Sequence, residues 1–280
     1  MTQPARVFVT GAAGRIGSWF AAHAAEEPGG RFALTLMTDP DHPDNPADDT
    51  DDTDDTRNDA PDLASLGRVV EARLEDLDTL TGLFAGHDAL LHLAADPSPD
   101  AGWQSLLPNN IVGTYNAFEA ARRAGVKHVV YASSIHAVSG YPVDHQVRET
   151  DAPLPGDLYG ASNAFAEGLA GYYAVAHGMS LVGVRIGAFQ PLAKAAEPEA
   201  VRLLDSFVSR RDLCDLLVRC LHAGPAGHRV VHGISDNRYK RLDVRRTREL
   251  TGYAPQDDVA EQNPDLHAAG VDRRMDHRGT

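Results

Sequence analysis

The chain has 280 residues, 42% of them hydrophobic, and a formal net charge of −14. That length suits one large α/β unit with a small appended lobe. No apolar run approaches a membrane span, no signal-peptide pattern opens the chain, and no broad basic surface invites nucleic acid, so neither membrane nor nucleic acid is an expected partner.

The charge is concentrated in one place. Residues 39–62 hold eleven Asp, no Glu and one Arg, a local charge of −10. This segment is low in complexity and punctuated by proline. It has too little apolar surface to offset the entropy of ordering, so a disordered acidic insert is expected. The two cysteines, Cys214 and Cys220, fall in one helical-looking segment. They read as reduced thiols of a cytoplasmic protein, and no metal site is expected.

Residues 6–10 read as a first strand. It feeds a turn with glycines at 11, 14 and 17, after which Ile16, Trp19, Phe20 and Ala24 recur at helical spacing. Gly11 permits the tight turn, Gly14 lets the backbone approach a pyrophosphate, and Gly17 lets the helix pack close to the strand. The helix start attracts the phosphate charge. Residues 31–38 form a second strand ending in Thr38-Asp39. A carboxylate there accepts hydrogen bonds from the adenosine ribose and repels a 2′-phosphate, so Asp39 points to NAD over NADP.

Strands follow at residues 68–72, 89–93, 127–132 and 180–186. The intervening helices cover 74–84, a long run from Pro108 through Ala124 closed by Gly125, and 159–177 with Gly178 as C-cap. This alternation predicts a doubly wound parallel sheet over residues 1–188. Beyond it, a helix over 205–222, a short strand over 229–232 and a helix over 243–250 are assigned to a small substrate lobe spanning 189–255 and interleaved with the core. Residues 256–280 read as a polar, flexible tail.

The glycine spacing resembles that of the extended short-chain dehydrogenase/reductases, the NAD-dependent epimerase/dehydratase family, which implies a Rossmann-type fold. Within that family the chain most resembles the uronate dehydrogenases and haloarchaeal NAD-dependent glucose-6-phosphate dehydrogenases. The resemblance rests on Val9–Arg15, Asp96–Trp103, Asn109–Thr114, Ser133–Val138, Leu158–Ser162, Val184–Gly187, Gly233–Asn237 and Gly252–Asp257. Such enzymes oxidise the C1 hydroxyl of a cyclic sugar to a lactone. The resemblance therefore implies a sugar-like substrate, NAD as cofactor and assembly with further copies of the chain.

Carried over by position, Ser134 and Tyr159 are catalytic, with Asn163 third in the set. The cofactor site comprises Gly11, Gly14, Arg15, Ile16, Gly17, Asp39, Leu74, Leu93, Ala94, Ala95, Asn110, Tyr159, Asn163 and Ile186. Ser98 and His136 line the substrate pocket, and Arg202 matches the arginine that grips the uronate carboxylate; a guanidinium suits a phosphate equally.

Three positions depart from the family pattern. Asn163 replaces the Lys one helical turn after the catalytic Tyr, Ile135 replaces a substrate-binding Asn, and Arg73 replaces an Asp near the adenine. An ordinary phenol has a pKa near 10, so only about 0.1% is phenolate at pH 7. Asn can hydrogen-bond a ribose hydroxyl but carries no charge to favour phenolate. His136 is a second candidate base. A non-catalytic NAD-binding sensor or scaffold, and a ketoreductase of a bulkier metabolite, are the alternative readings.

Overall fold

The computed structural model describes residues 3–26, 32–40, 61–224 and 227–268. The predicted acidic insert falls almost wholly outside these residues. β1 (Ala5–Thr10) runs into α1 (Arg15–Glu26) and β2 (Phe32–Thr38). A short α2 (Leu63–Leu66), β3 (Arg68–Glu71), α3 (Leu77–Phe84) and β4 (Ala89–His92) follow. β1, β2 and β4 are rich in apolar residues buried on both faces, as a central parallel strand requires.

The helix expected from Pro108 starts earlier and is not uniform. α4 (Trp103–Leu106) passes through a π-helical turn, Leu107–Val112, into α5 (Gly113–Ala124). Pro108 has no N–H to give a normal turn, and the Gly113 N–H reaches back to the Pro108 carbonyl instead. β5 (His128–Ser134), α6 (Leu158–His177) and β6 (Ser180–Ile186) complete the predicted alternation, and Gly178 caps α6 in the left-handed region at φ 64°.

The predicted substrate lobe is redrawn by the structure. Residues 205–222 are not one helix. β7 (Ala188–Gln190) pairs with β8 (Phe207–Ser209), and α7 (Arg210–His222) follows. α7 buries Leu213, Leu216 and Leu217 in the same apolar layer as Phe20 and Ala24 of α1. It thereby returns the chain to the main sheet, where β9 (His228–Gly233) pairs in parallel with β6. The sheet has seven parallel strands in the order β3-β2-β1-β4-β5-β6-β9. Alternate residues of each strand feed two layers: Val7, Val9 and Leu91 face α1 and α7, while Phe8, Leu90 and Tyr131 face α3, α5 and α6.

After α8 (Arg245–Thr251) the segment expected to be flexible packs down instead as far as it is described. α9 (Val259–Gln262) and α10 (Pro264–Ala268) bury Val259, Ala260 and Leu266 against Phe207 and Ala195. Its polar residues are bonded rather than solvated. Fully buried Asn263 donates to the carbonyls of Ala195 (3.1 Å) and Glu197 (2.7 Å) and accepts from the N–H of Asp265 and Leu266.

One ion pair crosses the interior. Arg185 on β6 and Glu167 on α6 are 1% and 4% exposed and form a two-pronged contact at 2.8 and 2.9 Å. Ser133 donates to the same carboxylate at 2.7 Å, and Arg185 also reaches the Asp151 carbonyl. Removing one partner leaves a buried charge uncompensated, which typically costs about 3–5 kcal/mol. Glu167→Gln is therefore expected to lower the unfolding free energy in urea by about that much. The double change Glu167→Leu with Arg185→Met is expected to cost less than either single one.

Candidate active site

The strand order reverses beside β1, and the loops at the carboxyl ends of β1 and β4 part there to leave a crevice. Gly11 leaves β1 at φ 68°, and a Cβ on it would lie 2.7 Å from the Ala94 nitrogen. A Cβ on Gly17 would run into the Gly11 carbonyl oxygen. These two glycines serve contacts within the protein. Gly14 differs: it is exposed, and a Cβ there would meet only the Gly11 oxygen, at 3.3 Å. Its bare face looks out of the turn, over the start of α1, which is the cradle a pyrophosphate needs. The Ala12 N–H bonds the Met37 carbonyl at 3.1 Å, which holds this turn against the end of β2 and hence near Asp39.

Opposite the turn, Leu93, Ala94, Ala95, Asn110 and Asn163 converge on one pocket. Thr10 organises its floor. Its Oγ1 accepts the N–H groups of Leu93 and Ala94 at 3.3 Å each and lies 2.8 Å from Nδ1 of buried His92. Asn110, inside the π turn, accepts from the Asp96 N–H (2.8 Å) and donates to the Asp96 carbonyl and Ser162 Oγ (3.1 Å each). It thus ties the loop after β4 to α6. Ile186 closes β6 in register with Ser134. Ile16 packs on the α1 layer, and Arg15 reaches across to Phe189 O and Gln190 Oε1. Leu74 is buried under Gly113 rather than on the pocket, with its carbonyl held by Asn116.

Ser134 ends β5 and caps a short 3₁₀ turn, Ile135–Val138, by accepting the His136 N–H at 3.2 Å. Tyr159 lies in the first turn of α6, whose N-cap Asp157 accepts the Gly160 N–H at 2.6 Å. Asn163, one turn on, is 8% exposed and donates to the Tyr159 carbonyl at 2.9 Å. Burial pushes the Tyr159 hydroxyl above the usual phenol range, and the carboxylates of Asp96 and Asp157 act in the same sense. Hydrogen bonding from the Ser134 and Asn163 side chains opposes the shift without reversing it.

His136 stands beside this tyrosine, ring centres 5.5 Å apart and edge-on, with Nδ1 2.7 Å from Asp157 Oδ2. Gly160 makes the approach possible, because a Cβ there would strike the His136 carbonyl oxygen. Burial works against ionisation of Asp157, but the bonds from His136 and Gly160 outweigh it and hold its carboxyl below the usual range. Asp157 was missed in the sequence. Its position before a helix marks an N-cap, but nothing local marks the contact with His136.

The substrate candidates do not all meet. Ser98 lies on the loop after β4, where its N–H bonds Asp96 and its Oγ accepts the Asp100 N–H. Arg202 is exposed on a 3₁₀ turn, Pro198–Leu203, and its bond among the described residues is to the Glu199 carbonyl of that turn, at 3.4 Å. Ile135 packs into an apolar cluster with Ile234, Leu242 and Val244.

Comparison with known proteins assigns the chain to a class of nucleotide-dependent enzymes. Residues 7–207 match the model of the NAD dependent epimerase/dehydratase family, and the chain belongs to that family. It is 34% identical to the NAD-dependent glucose-6-phosphate dehydrogenase of Haloferax volcanii, over 93% of this chain and 96% of that protein. It is 35% identical to the uronate dehydrogenase of Pseudomonas syringae pv. tomato, over 71% of this chain and 70% of that one. A crystal structure of an Agrobacterium tumefaciens uronate dehydrogenase mutant complexed with NAD superposes with a TM-score of 0.73 at 27% identity, covering 99% of this chain and 93% of that one.

Two buried histidines, His92 in the pocket floor and His232 on β9, also set a pH dependence. Burial pushes His92 down to about 4 and, with the Arg185 charge, His232 down to about 3. Both folded values lie below the free imidazole value of ~6.5, so the fold favours the neutral rings. Their contribution to stability is complete above that pH and is lost as pH falls through the interval below it. For His92 the loss reaches on the order of 3 kcal/mol by pH 4. Urea midpoints are expected to drop steadily from pH 7 to pH 4, with a shallower slope in His92→Gln.

Proposed function

We propose that the protein is an NAD-dependent oxidoreductase that converts a ring hydroxyl of a cyclic sugar or sugar acid to the carbonyl, C1 to lactone being the leading case. The observation that carries this reading is the convergence of the Ser134 and Asn163 side chains on Tyr159, where β5 ends and α6 begins. The named relatives are sugar and sugar-acid dehydrogenases.

In this reading the Gly11–Gly17 turn and the α1 start hold the pyrophosphate, Asp39 holds the adenosine ribose, and the small residues Ala94 and Ala95 give the cofactor room. Arg15, Ile16, Leu93, Asn110 and Ile186 frame that space, and Leu74 supports it only from behind Gly113. Asn163 offers its amide to the nicotinamide ribose. Ser134 and Tyr159 hold the reacting oxygen, Ser98 and His136 line the sugar site, and Arg202 takes an anionic group at its far end. Bound NAD supplies the hydride acceptor. A cytoplasmic, self-associating enzyme fits the two reduced, buried cysteines and the exposed Trp103, Tyr115, Phe165 and Tyr172 along α4, α5 and α6; light scattering tests the association. Asn163 favours one second reading, an NAD-binding sensor without turnover.

Calorimetry is expected to show NAD binding more tightly than NADP, and Gly14→Val is expected to abolish both. Equal or tighter NADP binding overturns the role of Asp39. Absorbance of NADH over a panel of aldoses, uronates and sugar phosphates identifies the substrate, and Tyr159→Phe is expected to cut turnover by about 10²–10⁴ with NAD affinity kept. NAD binding with no turnover across the panel selects the sensor.

A further inference from the structure

The site carries a base other than the one its motif advertises. Position 163 offers an amide in place of a cation, and its hydrogen bonding eases the rise of the Tyr159 hydroxyl without reversing it. The charged groups that act on Tyr159 are carboxylates: Asp96 from the loop after β4 and Asp157 from the start of α6. Both keep the proton on the phenol. A dehydrogenase still needs somewhere to put the hydroxyl proton.

His136 has the geometry for it. Its Nδ1 points at Asp157 at 2.7 Å, so the neutral ring keeps its proton there and leaves the Nε2 lone pair for a substrate. Its ring stands edge-on to Tyr159 with centres 5.5 Å apart, and its main chain is fixed by the Ser134 hydroxyl. Asp157 is in turn fixed by capping α6. The His136 and Asp157 side chains are 32% and 30% exposed, so a proton received there can pass on to water. The groups facing His136 are thus Ser134 from its own strand end, with Asp157 and Tyr159 from α6.

We propose that His136, oriented by Asp157, is the base of the dehydrogenation, and that Tyr159 stays protonated and holds the same oxygen as a hydrogen-bond donor. The substrate O–H bond breaks and an Nε2–H bond forms. The C–H electron pair of the same carbon leaves as hydride to the bound nicotinamide, and the C–O bond becomes a carbonyl. The imidazolium is neutralised by Asp157 and then releases its proton to solvent. This rests on the dehydrogenase reading above.

The test uses the full chain with NAD, and glucuronate and glucose 6-phosphate as probes. His136→Ala is expected to lower kcat for oxidation at least 100-fold with KM moved less than threefold, and free imidazole at tens of millimolar is expected to restore at least tenfold. Asp157→Asn, which can still cap α6, is expected to lower kcat about tenfold. In the protein without cofactor, nitrogen resonances of His136 are expected to show Nδ1 protonated, and a mixture of tautomers in Asp157→Asn. Asn163→Lys added to His136→Ala is expected to recover activity, since the cation then supports a Tyr159 phenolate. NAD affinity kept in His136→Ala and Asp157→Asn, and a single cooperative melting transition in every variant, separate these effects from misfolding. An unchanged kcat in His136→Ala, a change in KM alone, or a loss that imidazole does not rescue overturns the assignment. Failure of the parent protein to reduce NAD with either probe or any sugar of the panel instead sinks the dehydrogenase reading, and the assignment with it.

Discussion

The site depends on how closely two backbones pass where β1 and β4 end. Gly11 and Ala94 approach so tightly that a methyl group between them would overlap the Ala94 main chain. That approach lets Thr10 gather the N–H groups of Leu93 and Ala94 on a single hydroxyl. A hydroxyl oxygen has two lone pairs and one proton, so with both lone pairs occupied its proton faces Nδ1 of His92. His92 is buried, and burial keeps its ring neutral. The floor of the crevice is therefore polar in its bonds but uncharged.

A second constraint fixes the reacting end. Tyr159, Asn163 and Glu167 succeed one another at intervals of four on α6, so they rise along one face of that helix. Glu167 is held by Arg185 of β6 and Ser133 of β5, and Ser133 is the neighbour of Ser134. The pair thus fixes α6 against the two strands two turns below the tyrosine. Replacing a buried pair of this kind with apolar residues is often harmless to stability. What charge adds here is direction: the guanidinium fork sets the height of the helix relative to the strand ends.

Much of this was legible in the chain. The turn at Gly11–Gly17 is a short-range pattern carried within one strand–turn–helix unit, and Ser134 and Tyr159 stand in stretches whose family resemblance places them at the end of β5 and the start of α6. Apolar runs announced six strands of the parallel sheet. The seventh escaped its proper place because β9 is recognisable only through its partner β6, more than forty residues away. Asn263 and its neighbours escaped because a polar residue that bonds buried carbonyls looks the same in sequence as one facing water. The π turn escaped because Pro108 can open an ordinary helix equally well. Asp157 escaped as a site residue because its contact with His136 spans 21 positions and depends on the missing side chain of Gly160.

The charges around Tyr159 bear on what an uncharged Asn163 leaves the site able to do. Ionising a phenol there would add a third negative charge to those of Asp96 and Asp157. Two like charges 5 Å apart repel by about 3 kcal/mol at an effective dielectric constant of 20. A lysine offsets such repulsion; an asparagine does not. Protonating an imidazole paired with a carboxylate changes the charge in the opposite sense, from negative to neutral. With an uncharged Asn163 on α6, the tyrosine is suited to donating a hydrogen bond to the developing alkoxide, and His136, held by Asp157 at 2.7 Å, is the ring placed to take the proton.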